Sequence, residues 1–423
     1  MNRQARFLLL SLSVLLWPAF RQLSPAPTVQ AAPALAGFTV NTTDDTPDAN
    51  LNDGQCADAN GRCSLRAGIS EANRLGGSNT ISFTINGTIN LTGALPDITN
   101  SLAINGPGAR ALTVRRDTGG DYRIFNIPNA GLTIALSGLT ISNGKLSERG
   151  GGILSRSDLT LTDCAITGNE TVGVVGGGGV HLEAANGVFI GCTFSGNTAG
   201  NQGGGISFQG DDGHMLQLRN CTISGNTVNS SGSILHVSRS GSSTLELTNC
   251  TVANNRSLTV TNAGIRTASF NAGSVATTRL RNTLVVDNGQ NFSVTNSSGG
   301  GPSVLTSLGN NFDSDGSSSF TNGVNGDQVG AANALLNAVL APLGSNGGAT
   351  ETHALLPGSP AINAGTSNSA PATDQRGINR VGNVDIGAFE SQGFTVSKSG
   401  DNQTTVPTTA FANPLAVTVS SNF

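Results

Sequence analysis

One six-residue phrase returns along the chain at a nearly constant interval, and that interval limits the fold more than any other feature. Cys164-Ala-Ile-Thr-Gly-Asn169 recurs as Cys192-Thr-Phe-Ser-Gly-Asn197, Cys221-Thr-Ile-Ser-Gly-Asn226 and Cys250-Thr-Val-Ala-Asn-Asn255, with the cysteines 28, 29 and 29 residues apart. Weaker copies flank the four, at Leu139-Thr-Ile-Ser-Asn-Gly144 and Thr283-Leu-Val-Val-Asp-Asn288. Units with a period of roughly 20–50 residues bury their apolar faces on one another, which makes a solenoid.

Each unit resolves into three short runs of alternating polarity. In the coil opening at Cys192 they are Cys192-Thr-Phe194, Gly205-Ile-Ser-Phe208 and Leu216-Gln-Leu218. Alternation turns Cys and Ile, Phe or Val inward and Thr outward. The expected fold is therefore all-β: a right-handed parallel β-helix with three strands per coil and coils of 25–33 residues. Eight or nine coils spaced ~4.8 Å apart give a rod on the order of 40 Å long. The sixth residue of the phrase, Asn169, Asn197, Asn226, Asn255 and Asn288, is expected to stack as a ladder of carboxamides. Such a ladder satisfies polar groups that would cost ~1–3 kcal/mol each if buried unpaired. The column Cys164, Cys192, Cys221 and Cys250 is open to bridging, metal binding or packing as free thiols. Packing is favoured, because in-register Cβ atoms stay wider apart than the usual ~3.8 Å of a disulfide and no His completes a metal set.

The chain divides as follows. Residues 1–36 read as an export signal, with Arg3 and Arg6 before the apolar run Phe7–Trp17 and small residues near Ala31 and Ala36. Residues 37–80 form an N-terminal cap, whose convincing helix spans Ser64–Leu75 with Ser64 as its N-cap. Residues 81–330 form the β-helix, 331–391 a C-terminal module, and 392–423 the opening strands of an Ig-like segment that the chain does not complete. No later run approaches the ~20 apolar residues of a spanning helix, so no transmembrane segment is expected in the mature chain.

Charged residues make up 11% of the sequence and the net charge is −4, which excludes the basic face of a nucleic-acid binder. Cys56 and Cys63, seven apart in an exported, turn-rich segment, are expected to form a local disulfide. The dense oxygen donors before them, Asp44, Asp45, Asp48 and Asp53 with Asn50 and Asn52, are weighed as Ca²⁺ ligands. The spacing is not that of an EF-hand, and turn formation is the simpler reading, so no cofactor is required. For catalysis, a glycosidase needs two carboxyl groups ~5–9.5 Å apart on one cleft. The candidates Asp211, Asp212 and His214 crowd into a single loop, and a polar surface loop is the better reading.

Three resemblances follow from these residues. Cys63-Ser-Leu-Arg-Ala-Gly-Ile-Ser-Glu-Ala-Asn73 resembles the CSLREA domain, with Ala67-Gly68 in place of Glu-Ala. Leu343–His353, Leu356–Gly365, Asp374–Gly377 and Asp385–Glu390 resemble the choice-of-anchor Q domain. The Gly-Gly-Gly-Ile and Phe/Ile-Ser-Gly-Asn repeats are similar to those of polymorphic outer membrane proteins. Together they imply a bacterial, exported β-helix at the cell surface, without an established chemistry. His353, Asp374, Arg376, Asp385 and Glu390 are weighed as a converging binding or metal site, and the simpler expectation is a hydrogen-bonded, salt-bridged cap that closes the solenoid. The leading functional expectation is a non-enzymatic adhesion scaffold for surface glycans or other cell-surface proteins. The alternatives are a lyase or hydrolase acting on an acidic glycan, and a passive spacer. Recognition is expected on the outward Thr/Ser positions and the loops between phrases.

Overall fold

A computed structural model describes residues 36–422 except 52, 174–175, 260–261 and 297–298. The export signal expected at 1–36 thus lies, but for its last residue, outside the described residues, as does Asn52.

The repeats form a right-handed parallel β-helix. Sheet A has ten strands, from Gly37–Val40 to Ser303–Ser307. Sheet B also has ten, from Gly87–Leu91 to Gln328–Val329, and sheet C has seven, from Phe125–Ile127 to Gln290–Asn296. Each full coil runs C, A, B and then a two-residue strand in a fourth, five-stranded sheet that the sequence reading did not foresee. Register is strict: Ile166, Phe194, Ile223 and Val252 pair in one inward column.

The phrase owes its composition to two bends around a three-residue strand. The residue before each cysteine, Asp163, Gly191, Asn220 or Asn249, has φ between 49° and 66°. The fifth residue, Gly168, Gly196, Gly225 or Asn254, has φ between 57° and 65°. Only Gly, Asn and Asp occupy that left-handed region at low cost, so the corners select them.

The asparagine ladder is continuous. Nδ2 of Asn169, Asn197, Asn226 and Asn255 each donates to Oδ1 of the next rung at 2.8–3.0 Å. That same oxygen accepts the backbone N–H of the preceding asparagine at 3.0–3.1 Å. Asn288 passes the chain to Asn291, which donates to Asp313 at 2.8 Å. A carboxylate accepts without having to donate, so Asp313 ends the ladder cleanly. The four cysteines are free and buried, and each thiol donates to backbone carbonyls of its own coil or the one before. Burial holds Cys192 and Cys250 well above the usual thiol range, as packed thiols require.

The helix Leu65–Leu75 closes the N-terminal end, with Leu65, Ile69 and Ala72 in the main core. Ser64 accepts from Ala67 N–H at 3.0 Å, and Asn79 Nδ2 satisfies the late carbonyls of Ala72 and Gly76. Cys56 and Cys63 are joined as a disulfide.

The C-terminal module does not close the far end as the sequence reading expected. It folds back along sheet B as a strap. Asn310 and Asn282 donate to the carbonyls of Ala364 and Thr366, Thr251 accepts from Ala388 N–H, and Arg110 reaches Gly348. The reason lies in the outward positions of the last coils. There threonine gives way to Ala253, Leu284, Val286 and Phe312, an apolar stripe that needs a cover. Ala338, Leu355, Ile386 and Phe389 of the strap supply it and form a second core.

Inside sheet C the core carries a polar cluster. His236 is fully buried, stacks on Phe208 and pairs with the hydroxyls of Thr278 and Ser243, both at 2.9 Å. Burial depresses His236 to about 3, and His181 on the outer side of the sheet likewise to about 3. A histidine lowered in the folded state contributes stability that is fully present above its unfolded value near 6.5 and is lost as pH falls toward 3. Thermal or denaturant unfolding between pH 6.5 and 4 should therefore lose about 1.4 kcal/mol per pH unit for each histidine. His236→Gln should reduce that slope by about one proton; an unchanged slope would contradict the assignment.

Candidate functional site

The residues singled out in the sequence are mostly occupied by structure. Asp211 Oδ1 accepts from the N–H groups of Arg239 and Ser240, and Asp212 Oδ2 accepts from the Ser240 hydroxyl. His214 Nδ1 accepts from Asp211 N–H at 3.3 Å. The three therefore brace one turn against the next coil, between the strands Ile206–Gly210 and Met215–Arg219.

The four aspartates near the disulfide are dispersed among separate partners. Asp44 pairs with Arg62, and Asp45 holds Arg66 through two bonds of 2.7 and 2.8 Å. Asp48 accepts from Asn50 and Ala57 N–H, and Asp53 from Gln55 N–H. Glu71, buried on the capping helix, has both carboxylate oxygens unpartnered; burial, then the charges of Asp48 and Asp53, raises its pKa. Among the described residues no group of three His, Cys, Asp or Glu side chains stands together to hold a metal ion.

The polar set of the strap is likewise internal. His353 Nδ1 donates to Ala341 O at 2.8 Å, leaving Nε2 to accept from Ser224 Oγ at 2.8 Å. Arg376 lies 3.7 Å over the Phe389 ring and pairs with Asp374, both side chains fully buried. Asp385 accepts from the N–H groups of Asn363 and Ser391, and burial raises it to about 6. Gln375 takes the Thr222 hydroxyl on Oε1 and donates through Nε2 to Thr193 and Thr350. The outward threonines Thr193, Thr222 and Thr251 of sheet B, expected to be available for recognition, are thus covered, whereas Thr140 and Thr167 of the earlier coils stay partly exposed in a cavity of about 240 Å³.

A different face is open. Three adjoining cavities of about 350, 270 and 360 Å³ run along the outside of sheet C, the first two sharing Arg123 and Glu148, the second and third sharing Arg149. They follow the rungs from Phe125–Ile127 to Asn262–Ser269, about 24 Å at ~4.8 Å per rung. The floor comes from outward side chains that stack in register: His181, Ser207, Leu235 and Arg266 in one column, Glu183, Gln209, Val237 and Ala268 in the next. Leu235, Val237 and Ala268 form a small apolar cluster of their own.

The groove is rich in arginine. Arg123, Arg149, Arg156, Arg239 and Arg266 line the second and third cavities, against Glu148 and Glu183. Glu183 receives Arg149 at 3.2 Å and Arg156 at 2.8 Å. Burial alone would raise its carboxyl, but the Arg156 hydrogen bond and the surrounding positive charge outweigh that and hold it below the ordinary range. A carboxylate held ionised by two guanidiniums is a poor proton donor. His181, 3% exposed, pairs through Nδ1 with Ser207 Oγ at 3.0 Å while Nε2 has no partner. None of these residues belongs to the repeated phrase: His181, Glu183 and Arg266 sit outward on the second strand of their coils, and Arg123, Glu148, Arg149, Arg156 and Arg239 in the turns that flank it.

Comparison with known proteins addresses the fold. The family model described as right handed beta helix region matches residues 117–334, which contain most of the groove. The pectate lyase Pel9A crystal structure aligns with a TM-score of 0.42 and 13% identity, over 84% of this chain and 96% of that one. No curated protein matches the sequence.

Proposed function

The chain belongs to the right-handed β-helix family, and on that premise we propose that it is an exported, non-enzymatic scaffold that holds an extended glycan chain along sheet C. The observation that carries this reading is the continuity of the groove across successive coils. A polymer laid along the rod meets outward side chains at successive rungs, which suits an extended ligand better than a compact one. Leu235, Val237 and Phe270 offer an apolar face for a sugar ring, and Ser207 and Gln209 offer hydrogen bonds beside it. The strap covers sheet B over the coils of Thr222 and Thr251.

Export is supported by the charged and apolar pattern of residues 1–36 and by the Cys56–Cys63 disulfide, which suits an oxidising compartment. The display site is the cell surface or the space outside it. The non-enzymatic reading is supported by the ionised state of Glu183 and by the turn-bracing roles of Asp211, Asp212 and His214.

The test is a glycan microarray probed with the chain, paired with a long incubation on the glycans that bind. Retention without release of reducing or unsaturated ends is expected. Release of such ends would replace the scaffold with a lyase or hydrolase, and blank glycan and cell-binding arrays would replace it with a passive spacer.

A further inference from the structure

We infer that the third cavity of the groove is an anion subsite in which Arg266 receives the carboxylate of an acidic sugar unit, while His181, about 14 Å along the same column, meets another unit of the same glycan. The inference rests on the groove being the recognition face and adds to it the chemical class of the ligand.

The cavity is about 360 Å³, within the ~300–1,000 Å³ usual for ligand pockets, and is lined by Arg149, Arg239 and Arg266 with no Asp or Glu in its wall. Such a wall is out of keeping with a chain of net charge −4. Arg149 already shares its charge with Glu183 just outside the cavity. Arg266 has no carboxylate partner among the described residues. Its Nη1 and Nη2 donate to the hydroxyls of Ser231 and Thr295 at 2.8 and 3.3 Å, and its buried Nε has no acceptor. A guanidinium fixed by neutral hydroxyls keeps its full charge while losing water. A ligand carboxylate in the cavity would meet that charge.

His181 points to the same ligand from the same column, three rungs away. Its Nε2 is buried against the cavity without a partner, a state that is unfavourable unless something fills it. With the Ser207 hydroxyl donating to Nδ1, Nε2 carries the proton and presents a neutral donor. Burial keeps the ring uncharged, so the donor serves an anion or a sugar oxygen without needing acid pH. Leu235 and Val237 lie on the floor and Phe270, 37% exposed, in the wall, which leaves room for a sugar ring whose carboxylate reaches the arginine. A planar carboxylate matches the fork of a guanidinium better than a neutral hydroxymethyl does.

The experiment compares a four-unit hexuronate oligosaccharide with the same oligosaccharide reduced at its carboxyls, by calorimetry on the full chain. The uronate should bind at least tenfold tighter. Arg266→Gln should abolish that discrimination while leaving the reduced oligosaccharide unaffected, and Arg266→Lys should restore part of it. His181→Gln should weaken both ligands, and Arg279→Gln on exposed sheet A should change neither. Melting curves of each variant establish that it is folded. Equal affinity for the two oligosaccharides would overturn the anion subsite and leave the glycan groove standing. A sulfated, carboxyl-free oligosaccharide that bound more tightly would overturn the carboxylate. Failure of every oligosaccharide to bind would overturn both readings.

Discussion

Asn226→Ala is expected to cost about 3–5 kcal/mol of unfolding free energy, a large fraction of the ~5–15 kcal/mol typical of a folded domain. The side chain is fully buried at the middle of the ladder. Its Oδ1 accepts from the backbone N–H of Asn197 at 3.0 Å and from Asn197 Nδ2 at 2.9 Å, and its Nδ2 donates to Phe194 O and Asn255 Oδ1. Alanine removes all of these and supplies nothing in exchange. The Asn197 N–H is left buried without an acceptor, which alone costs ~1–3 kcal/mol, and the void adds to it. Asn229, three residues on, is the control. It is exposed and donates to Gly200 O, so Asn229→Ala should stay within about 0.5 kcal/mol. Denaturant titration decides between them; equal midpoints would show that the ladder adds little.

Arg376→Met should release the strap with a local cost of about 3–5 kcal/mol, the usual penalty for breaking a buried ion pair from one side. Arg376 and Asp374 have side chains at 0% exposure, and the guanidinium also reaches the carbonyls of Asn346 and Glu390. Methionine keeps contact with Phe389 but leaves the Asp374 carboxylate with only backbone donors, from Arg376, Ile378 and Glu390. Because the strap lies outside the coils, the solenoid should survive. Hydrogen exchange should quicken over residues 346–391 and remain slow through the asparagine ladder. Uniform quickening would mean that strap and solenoid unfold as one unit, and no change would mean that the ion pair does not hold the strap.

The two variants mark what was legible in the sequence. The ladder was readable because each Asn occupies the same place in a repeated phrase, and the inward column was readable from Cys and Ile, Phe or Val at alternate positions. The strap was less visible, although a signal existed. Leu284 and Val286 stand where earlier phrases carry Thr and Ser, and an apolar residue at an outward position announces a cover. Read as a weak copy of the phrase, that substitution passed for noise. The polar residues of the C-terminal module were correctly singled out but placed across the end of the rod, because sequence order does not tell whether a terminal segment continues a solenoid or doubles back on it.

The groove was harder still. Its side chains lie on the second strand of each coil and in the turns beside it, and their meaning depends on register. His181, Ser207, Leu235 and Arg266 share no motif; they become neighbours only when the coils stack. Asp211, Asp212 and His214 drew attention for the opposite reason, since closeness in sequence made a turn look like a constellation.

Charge reversal on opposite faces tests the recognition surface most directly. Arg156→Glu and Arg239→Glu change exposed side chains of the sheet C groove, and Arg219→Glu and Arg279→Glu change exposed side chains of sheet A. Affinity for the retained glycan should fall at least tenfold in each of the first pair and hold within twofold in the second. Loss of binding in the sheet A pair, with the sheet C pair unchanged, would contradict the account.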